Sequence, residues 1–390
     1  MAQSSARFRS LDIIRGAVMV LMALDHVRVF SAVPANGQTP ALFLTRWITN
    51  FCAPAFVFLA GTGAALLGNR TGNQALTRYL LRRGALLVFF EMTISRLSWT
   101  FNLDFYNYTE ANVLWAIGWS MILLAVLIHL PRIVIGTVTL LVIAGHDVTD
   151  YFQEPLQKLV ESSPAHHFLQ ILYFGGDFRW FDTGPRLVVL YSIIPWVGVI
   201  AAGYLFGRVM TLDTERRRSL CLRIGLGAVA LFLFLRAFNI YGNPWHWTSD
   251  KGLVRAILTF IGTSKYPASL QFLLMTLGPV IALIPLLERV TGWLSQRLVT
   301  FGRVPLFYYL LHIALIHMLT VLIALVRSPA AVSWLFENHP LRVPPAPPGY
   351  RYSLPLLYAV TLLAVTILYF PCRWYADLKA RRPDSWLRFI

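Results

Sequence analysis

The chain is expected to fold as an all-α bundle of transmembrane helices, with about ten spans and both termini cytoplasmic. Three observations carry this expectation. Of 390 residues, 57% are hydrophobic and only 13% are charged, against about 25% charged in a soluble domain. Stretches of about 20 apolar residues recur along the whole length. The basic residues gather in alternate loops: Arg70, Arg78, Arg82 and Arg83; Arg208, Arg216, Arg217, Arg218 and Arg223; Arg289, Arg297 and Arg303; and Arg373, Lys379, Arg381 and Arg382. Arg7 and Arg9 precede the first span, and the alternation is the positive-inside pattern.

In chain order the spans fall at residues 11–33, 48–68, 84–101, 111–130, 133–149, 186–207, 222–241, 268–288, 304–326 and 353–371. The fifth is the shortest. The longest non-cytoplasmic loops cover residues 150–185, 242–267 and 327–352. The first loop holds His166, His167, Trp180 and Asp182, and the second holds Trp245, His246, Trp247 and Asp250. Residues 252–262 suit a short amphipathic helix lying on the membrane surface. The third loop, with Pro340, Pro344, Pro345, Pro347 and Pro348, is expected to be extended and stiff. No soluble domain, short repeat or low-complexity tract separates from these spans, so residues 1–390 read as one transmembrane domain.

The net charge of +16 does not point to nucleic acid, because that partner needs a soluble basic face. No cleavable signal is read at the N-terminus, since the first span is long and charged. Cys52, Cys221 and Cys372 lie far apart and form neither a disulfide framework nor a metal motif. They read as small apolar residues.

Chemistry is sought first at Asp25 and His26, well inside the first span. An ionisable group in hydrocarbon costs at least ~2.5–3.5 kcal/mol, and a chain accepts this where the group faces protein or water. Counted from the cytoplasmic ends at 1.5 Å per residue, His26 and His317 lie about 20 Å deep, as do Arg96 and Arg236. Arg15, Glu91 and His312 form a second, inner layer. Bland readings stand beside these. Arg96 and Arg236 snorkel to the interface, Glu91 pairs with Arg15 or Arg96, and His312 is a core histidine bonded to its neighbours. Asp25 and His26 diverge by about 100° around the helix. They form no tight dyad by spacing alone, which leaves Asp25 for an arginine of another helix.

Four stretches carry a family resemblance. They are Arg9-Ser10-Leu11-Asp12-Ile13-Ile14-Arg15-Gly16 leading to Leu24-Asp25-His26; Asn50-Phe51-Cys52-Ala53-Pro54-Ala55-Phe56-Val57-Phe58-Leu59-Ala60-Gly61; Tyr266-Pro267-Ala268-Ser269-Leu270-Gln271-Phe272-Leu273-Leu274-Met275-Thr276-Leu277-Gly278-Pro279; and Phe301-Gly302-Arg303-Val304-Pro305-Leu306-Phe307-Tyr308-Tyr309-Leu310-Leu311-His312. Together the chain resembles the bacterial relatives of lysosomal heparan-α-glucosaminide N-acetyltransferase, within the transmembrane acyltransferase superfamily. The resemblance implies transfer of an acyl group, usually acetyl, from cytoplasmic coenzyme A to a hydroxyl or amine of a sugar on the outer side. It also implies a catalytic histidine in or just after the first span, where His26 is the best match. In the lysosomal enzyme the essential histidine lies in the first outer loop, but residues 30–47 here contain none. Either His26 takes the role or the protein works differently.

On this reading His26 is a general base or a transient acyl acceptor, tasks that suit neutral imidazole near pH 7. Asp25 supports it and His317 orients the acceptor. Arg15 and Arg303 are the candidates for the phosphates of acetyl-CoA. No metal is expected. The expected partners are membrane lipids and a sugar or glycan acceptor, with a homo-oligomer left open. The expected location is the bacterial inner membrane, as a multi-pass protein. A proton-coupled transporter or flippase is the alternative, since it too needs intramembrane acids, histidines and arginines.

Overall fold

A computed structural model describes residues 8–33, 39–152, 165–181, 183–250, 252–337 and 346–382, together with 155–156, 158–159, 163 and 387. Arg7, Asp182, Pro340, Pro344 and Pro345 lie outside the described residues.

The chain is a bundle of long helices, as the apolar runs require. The first helices are α1 (Arg9–Phe30), α2 (Pro40–Thr49) and α3 (Cys52–Thr71), followed by α4 (Asn73–Phe90). A π-helical turn, Glu91–Ser95, joins α4 to α5 (Arg96–Thr100). Then come α6 (Val113–Leu127), α7 (Arg132–Gly145), the single turn α8 (His166–Leu169), α9 (Ile193–Met210), α10 (Thr214–Ala237) and α11 (Leu253–Ile261). The last are α12 (Leu270–Leu287), α13 (Trp293–Arg303), α14 (Pro305–Arg327), the single turn α15 (Val332–Leu335) and α16 (Leu354–Arg381). Side-chain oxygens mark several starts. Asp213 accepts from Arg216 N at 3.0 Å at the head of α10, and Ser269 accepts from Phe272 N at 3.2 Å at the head of α12.

Among the described residues seven segments are long and apolar enough to cross a membrane: Pro40–Thr71, Arg132–Phe152, Ile193–Met210, Thr214–Ala237, Leu270–Leu287, Pro305–Arg327 and Leu354–Arg381. The three remaining sequence spans correspond to α1, α4 and α6. Of these, α6 is only 15 residues long, and α1 and α4 carry charges. Protein rather than lipid surrounds α1, which packs against α2, α3, α12, α13, α14 and α16.

Close helix contacts are built on glycine. A Cβ at Gly16 would lie 1.9 Å from Leu298 O, and one at Gly302 would lie 2.0 Å from Asp12 O. These two glycines seat α13 antiparallel against the first half of α1. Gly61 and Gly203 do the same for α3 and α9, facing the carbonyls of Ile200 and Phe58.

Two boundaries differ from the sequence reading. The helix containing Glu91 begins at Asn73, not 84, so Arg78, Arg82 and Arg83 lie on a helix instead of in a loop. A small sheet also stands at the end opposite the arginine-rich loops. Strands β1 (Thr109–Ala111), β2 (Gly176–Arg179) and β3 (Arg186–Val189) lie in the order β1-β3-β2. β1 runs parallel to β3 with Thr109 opposite Leu187, and β2 is antiparallel to β3 with Phe178 opposite Leu187. The amphipathic helix expected over 252–262 is α11, which exposes Leu253, Val254 and Ile257.

Candidate functional site

The site is assembled on α1 and α14. Arg15, Met19, Met22 and His26 recur at i, i+4, i+7 and i+11, a stripe along one face of α1 that rises about 16 Å. At its top His26 meets His312 of α14. His26 Nδ1 and His312 Nε2 are 2.7 Å apart, with the rings stacked at 4.8 Å. Trp99 sets its ring edge-on to His26 at 4.7 Å.

The partners fix the tautomers. His312 Nδ1 lies 2.6 Å from Tyr309 O and 3.2 Å from Tyr308 O. Carbonyls only accept, so Nδ1 carries the hydrogen, and in a neutral ring Nε2 holds the lone pair. Nε2 therefore accepts from His26 Nδ1–H. The lone pair of neutral His26 is then on Nε2, which makes no hydrogen bond among the described residues, and His26 is only partly buried. His312 is fully buried. A ring oriented in this way is a base with its acceptor nitrogen presented.

Asp25 does not touch His26. Its Oδ1 accepts from Arg28 Nε at 3.0 Å, an i,i+3 pair on its own helix, where the sequence suggested an arginine from another helix. Arg28 also donates to Val33 O at 3.3 Å.

His317 stands apart from this pair. Its Nδ1 is 3.0 Å from Ser98 O and its Nε2 is 2.9 Å from Leu335 O. Both nitrogens face backbone carbonyls, Phe101 stacks on the ring at 4.0 Å, and Phe30 rather than His26 is its neighbour on α1. This geometry leaves no nitrogen to orient an acceptor, which corrects the expectation for His317. The matched depth of His26 and His317 is corrected with it, because His26 meets His312 while Phe30, one turn further along α1, packs on His317.

The other buried charges are also placed. Arg96 donates to Tyr108 O at 2.9 Å, Asn102 O at 2.5 Å and Asp104 O at 2.6 Å. Arg236 donates to Phe260 O, Trp245 O, Thr259 O and Gly262 O at 2.6–2.8 Å. Each is 1% exposed and locks loop carbonyls in place instead of snorkelling. Glu91 caps α6 by accepting from Leu114 N at 2.7 Å. It lies toward the sheet end, and not in an inner layer beside Arg15.

Arg15 and Arg303 open on the same cavity. It encloses about 360 Å³ and is also lined by Tyr79, Arg83, Met19 and Tyr309. Arg15 is held by Asp12 Oδ1 at 3.4 Å and by Leu59 O at 3.1 Å. The cavity starts among arginines and ends below the histidine pair. Met19 is two turns below His26 on α1, and Tyr309 carries the carbonyl that holds His312. Sequence reasoning missed Arg83 and Tyr79, because residues 73–83 read as a basic loop. The i,i+4 spacing of Tyr79 and Arg83 was the available signal. It also missed the His26–His312 pair, since nothing local links positions 286 residues apart. Among the described residues no cluster of histidine, cysteine and acidic side chains is arranged for a metal.

A helical membrane bundle with an arginine-lined cavity below a half-buried histidine bonded to a buried one has the layout of a membrane enzyme that takes an anionic substrate. Residues 7–239 match the sequence model of the family described as heparan-alpha-glucosaminide N-acetyltransferase, catalytic. The match covers more than half of the chain, which belongs to this family of transmembrane acyltransferases. None of the curated proteins matches the chain. The matched region holds Arg15, Asp25, His26 and Arg83, whereas Arg303, His312 and His317 lie beyond it.

Proposed function

We propose that the protein moves an acetyl group from acetyl-CoA, bound in the Arg15–Arg303 cavity, to a hydroxyl or amine of a sugar reaching His26 from the opposite side of the membrane. One observation supports the reading: three arginines line a cavity that reaches Met19, two turns below a histidine whose partners leave its Nε2 as the base.

The arginine-rich end lies in the cytoplasm by the positive-inside rule. Arg15, Arg83 and Arg303 bind the phosphates of coenzyme A there, where guanidinium forks match phosphate oxygens. The apolar walls receive the pantetheine arm. The acceptor hydroxyl or amine attacks the thioester carbonyl while His26 Nε2 takes its proton. The C–S bond breaks, the thiolate leaves, and the imidazolium returns the proton to sulfur. The products are the acetylated sugar and coenzyme A thiol. His312 accepts from His26 Nδ1–H throughout, so it positions the ring and stabilises the imidazolium. Asp25 tethers Arg28 nearby and adds a negative charge that favours the imidazolium.

Calorimetry with acetyl-CoA on detergent-purified protein tests the reading. Arg15→Ala and Arg303→Ala are each expected to weaken binding about tenfold, in line with loss of a charge-assisted contact worth ~1.5–3 kcal/mol. His26→Ala is expected to retain binding and to lose about 10²-fold in turnover, as when acid–base catalysis is removed. Absence of binding at millimolar acetyl-CoA would overturn the proposal and favour a carrier.

A further inference from the structure

Beside the histidine pair stands Trp99 of α5, whose ring centre is 4.7 Å from that of His26. The indole is 2% exposed. Its Nε1–H makes no hydrogen bond among the described residues. An indole nitrogen only donates. Burying such a donor without an acceptor carries a desolvation penalty, and native proteins hold few groups of this kind. Two other indoles share the condition, Trp115 and Trp119, but they pack on each other at the sheet end. Of the three, it is Trp99 that touches a site histidine.

The ring is held in place from several directions. Phe30, one turn beyond His26 on α1, stacks on it at 5.1 Å and 22°, while His26 meets it at 64°. Both chain neighbours are tied down. His317 Nδ1 lies 3.0 Å from Ser98 O, and Arg96 donates to Thr100 Oγ1 at 2.5 Å. Arg96 and His317, two buried groups that the transfer does not otherwise use, thus brace the turn that carries Trp99. Ser98, Thr100 and His312 are buried around it. A donor fixed before the reaction, in surroundings nearly closed to water, is suited to stabilise charge that develops in a transition state.

We propose that Trp99 is a catalytic residue of the transfer, its Nε1–H donating to the thioester carbonyl oxygen as that oxygen becomes an oxyanion. The proposal rests on the acyltransferase reading above and supplies the donor that His26 cannot be. His26 Nδ1–H is taken by His312, and Nε2 is the base. The lone pair on His26 Nε2 and the Trp99 N–H are therefore the open functions of two adjacent rings, one accepting and one donating. Acyl transfer uses both. The proton of the attacking hydroxyl or amine goes to Nε2. The π pair of the carbonyl moves onto oxygen, where the indole N–H meets it with a hydrogen bond and keeps its proton. The pair returns to re-form C=O as the C–S bond breaks, and the thiolate takes the proton from the imidazolium.

The test contrasts a planar ligand with a tetrahedral one by calorimetry on the detergent-purified full chain. Acetyl-CoA is the first. The hydrate of trifluoroacetonyl-CoA, with a tetrahedral carbon bearing an acidic hydroxyl, is the second, and neither needs a sugar acceptor. Replacement of Trp99 by benzothienylalanine, through stop-codon suppression, puts sulfur in place of N–H and keeps the ring. This variant is expected to bind acetyl-CoA within about twofold of the unaltered protein and the hydrate about tenfold or more weaker, because only the tetrahedral ligand resembles the transition state. Trp99→Phe, a coarser removal of the N–H, should show the same split. Coenzyme A release with glucosamine as acceptor should fall about 10²-fold in both, as on loss of one oxyanion donor. Replacement by 5-fluorotryptophan, which keeps the N–H, should match the unaltered protein in every measurement. Equal weakening of both ligands, or no weakening of either, in the sulfur variant overturns the proposal. If the unaltered protein binds neither ligand, the acyltransferase reading falls and the Trp99 assignment with it. If it binds both and the sulfur variant keeps its affinity for the hydrate, the Trp99 assignment falls alone.

Discussion

A neutral imidazole holds one proton, and the carbonyls of Tyr308 and Tyr309 dictate where His312 keeps it. That constraint makes His312 a positioning residue with a distinctive signature. His312→Ala removes the acceptor for His26 Nδ1–H but leaves the base, the cavity and its arginines. Turnover is expected to fall about tenfold or more, with KM for acetyl-CoA within about twofold, and His312→Gln should recover part of the loss through its amide oxygen. A purely structural role would instead lower the amount of folded protein without this split. A second residue-scale prediction concerns Glu110 on β1, outside the helices that span the membrane. It is 2% exposed, accepts from Tyr108 Oη at 2.9 Å and Asn112 Nδ2 at 3.0 Å, and is pushed up to about 8, first by burial and then by the charge of Glu91. The ordinary value is 4.5. Folded protein thus holds the Glu110 proton over a range where unfolded chain has released it. The associated stability is fully present below about pH 4.5 and is lost as pH rises through 8. The thermal midpoint in micelles should fall by several degrees from pH 5 to pH 8, and Glu110→Gln should flatten that fall.

Among the elements, α13 shows how a site residue is positioned by close packing. Arg303 reaches the first cavity because Gly302 allows α13 to touch α1 at Asp12, and Gly16 repeats the contact at Leu298. A methyl at either glycine would sit about 2 Å from a backbone oxygen, so the helices must separate. Gly302→Ala is expected to destabilise the protein by at least the ~1–3 kcal/mol typical of overpacking and to weaken acetyl-CoA binding by displacing Arg303. Gly292→Ala, at the start of the same helix with nothing within 4 Å of the added carbon, places a side chain at φ +119 and should cost local strain without loss of acetyl-CoA affinity. Thermal unfolding and calorimetry on both variants check the contrast. The same scale shows what the sequence made legible. Apolar run length located the helices, and depth counting put Arg15 and His26 at two levels of α1, without showing that the 15, 19, 22, 26 spacing sets them on one face. The pairing of His26 with His312 depends on the register of α14 against α1, which no local pattern encodes. Depth counted along straight helices matched His26 to His317 instead. The strands escaped notice for a similar reason: three or four residues carry no periodic signal, so β3 was taken into the span 186–207, whose helix starts only at Ile193, and β1 abuts the span 111–130.

At the scale of the whole molecule, the proposed transfer requires the Arg15–Arg303 cavity to open in the cytoplasm and the acceptor to reach His26 from the other side. Seven described segments pass the test of length and apolarity, and the ten-span topology has α1, α4 and α6 cross as well. Those three line the first cavity, so each has a face turned to a solvent-reaching space where charge is tolerated. If all ten cross, Gln74 at the start of α4 lies with the arginine-rich loops, and Pro348 ahead of α16 lies on the other side. If only the seven cross, the number of spans between the two sites changes from seven to five, again an odd number. Opposite labelling of this pair is therefore expected in both cases, and a third site between α6 and α7 shares the face of Gln74 in both. The three native cysteines are buried, so introduced ones report cleanly. With impermeant maleimide on right-side-out cells, Pro348→Cys should label, whereas Gln74→Cys and Leu130→Cys should not. Labelling of Gln74→Cys would place α4 and the arginines of the first cavity on the outer side, and the cytoplasmic route for acetyl-CoA would be lost.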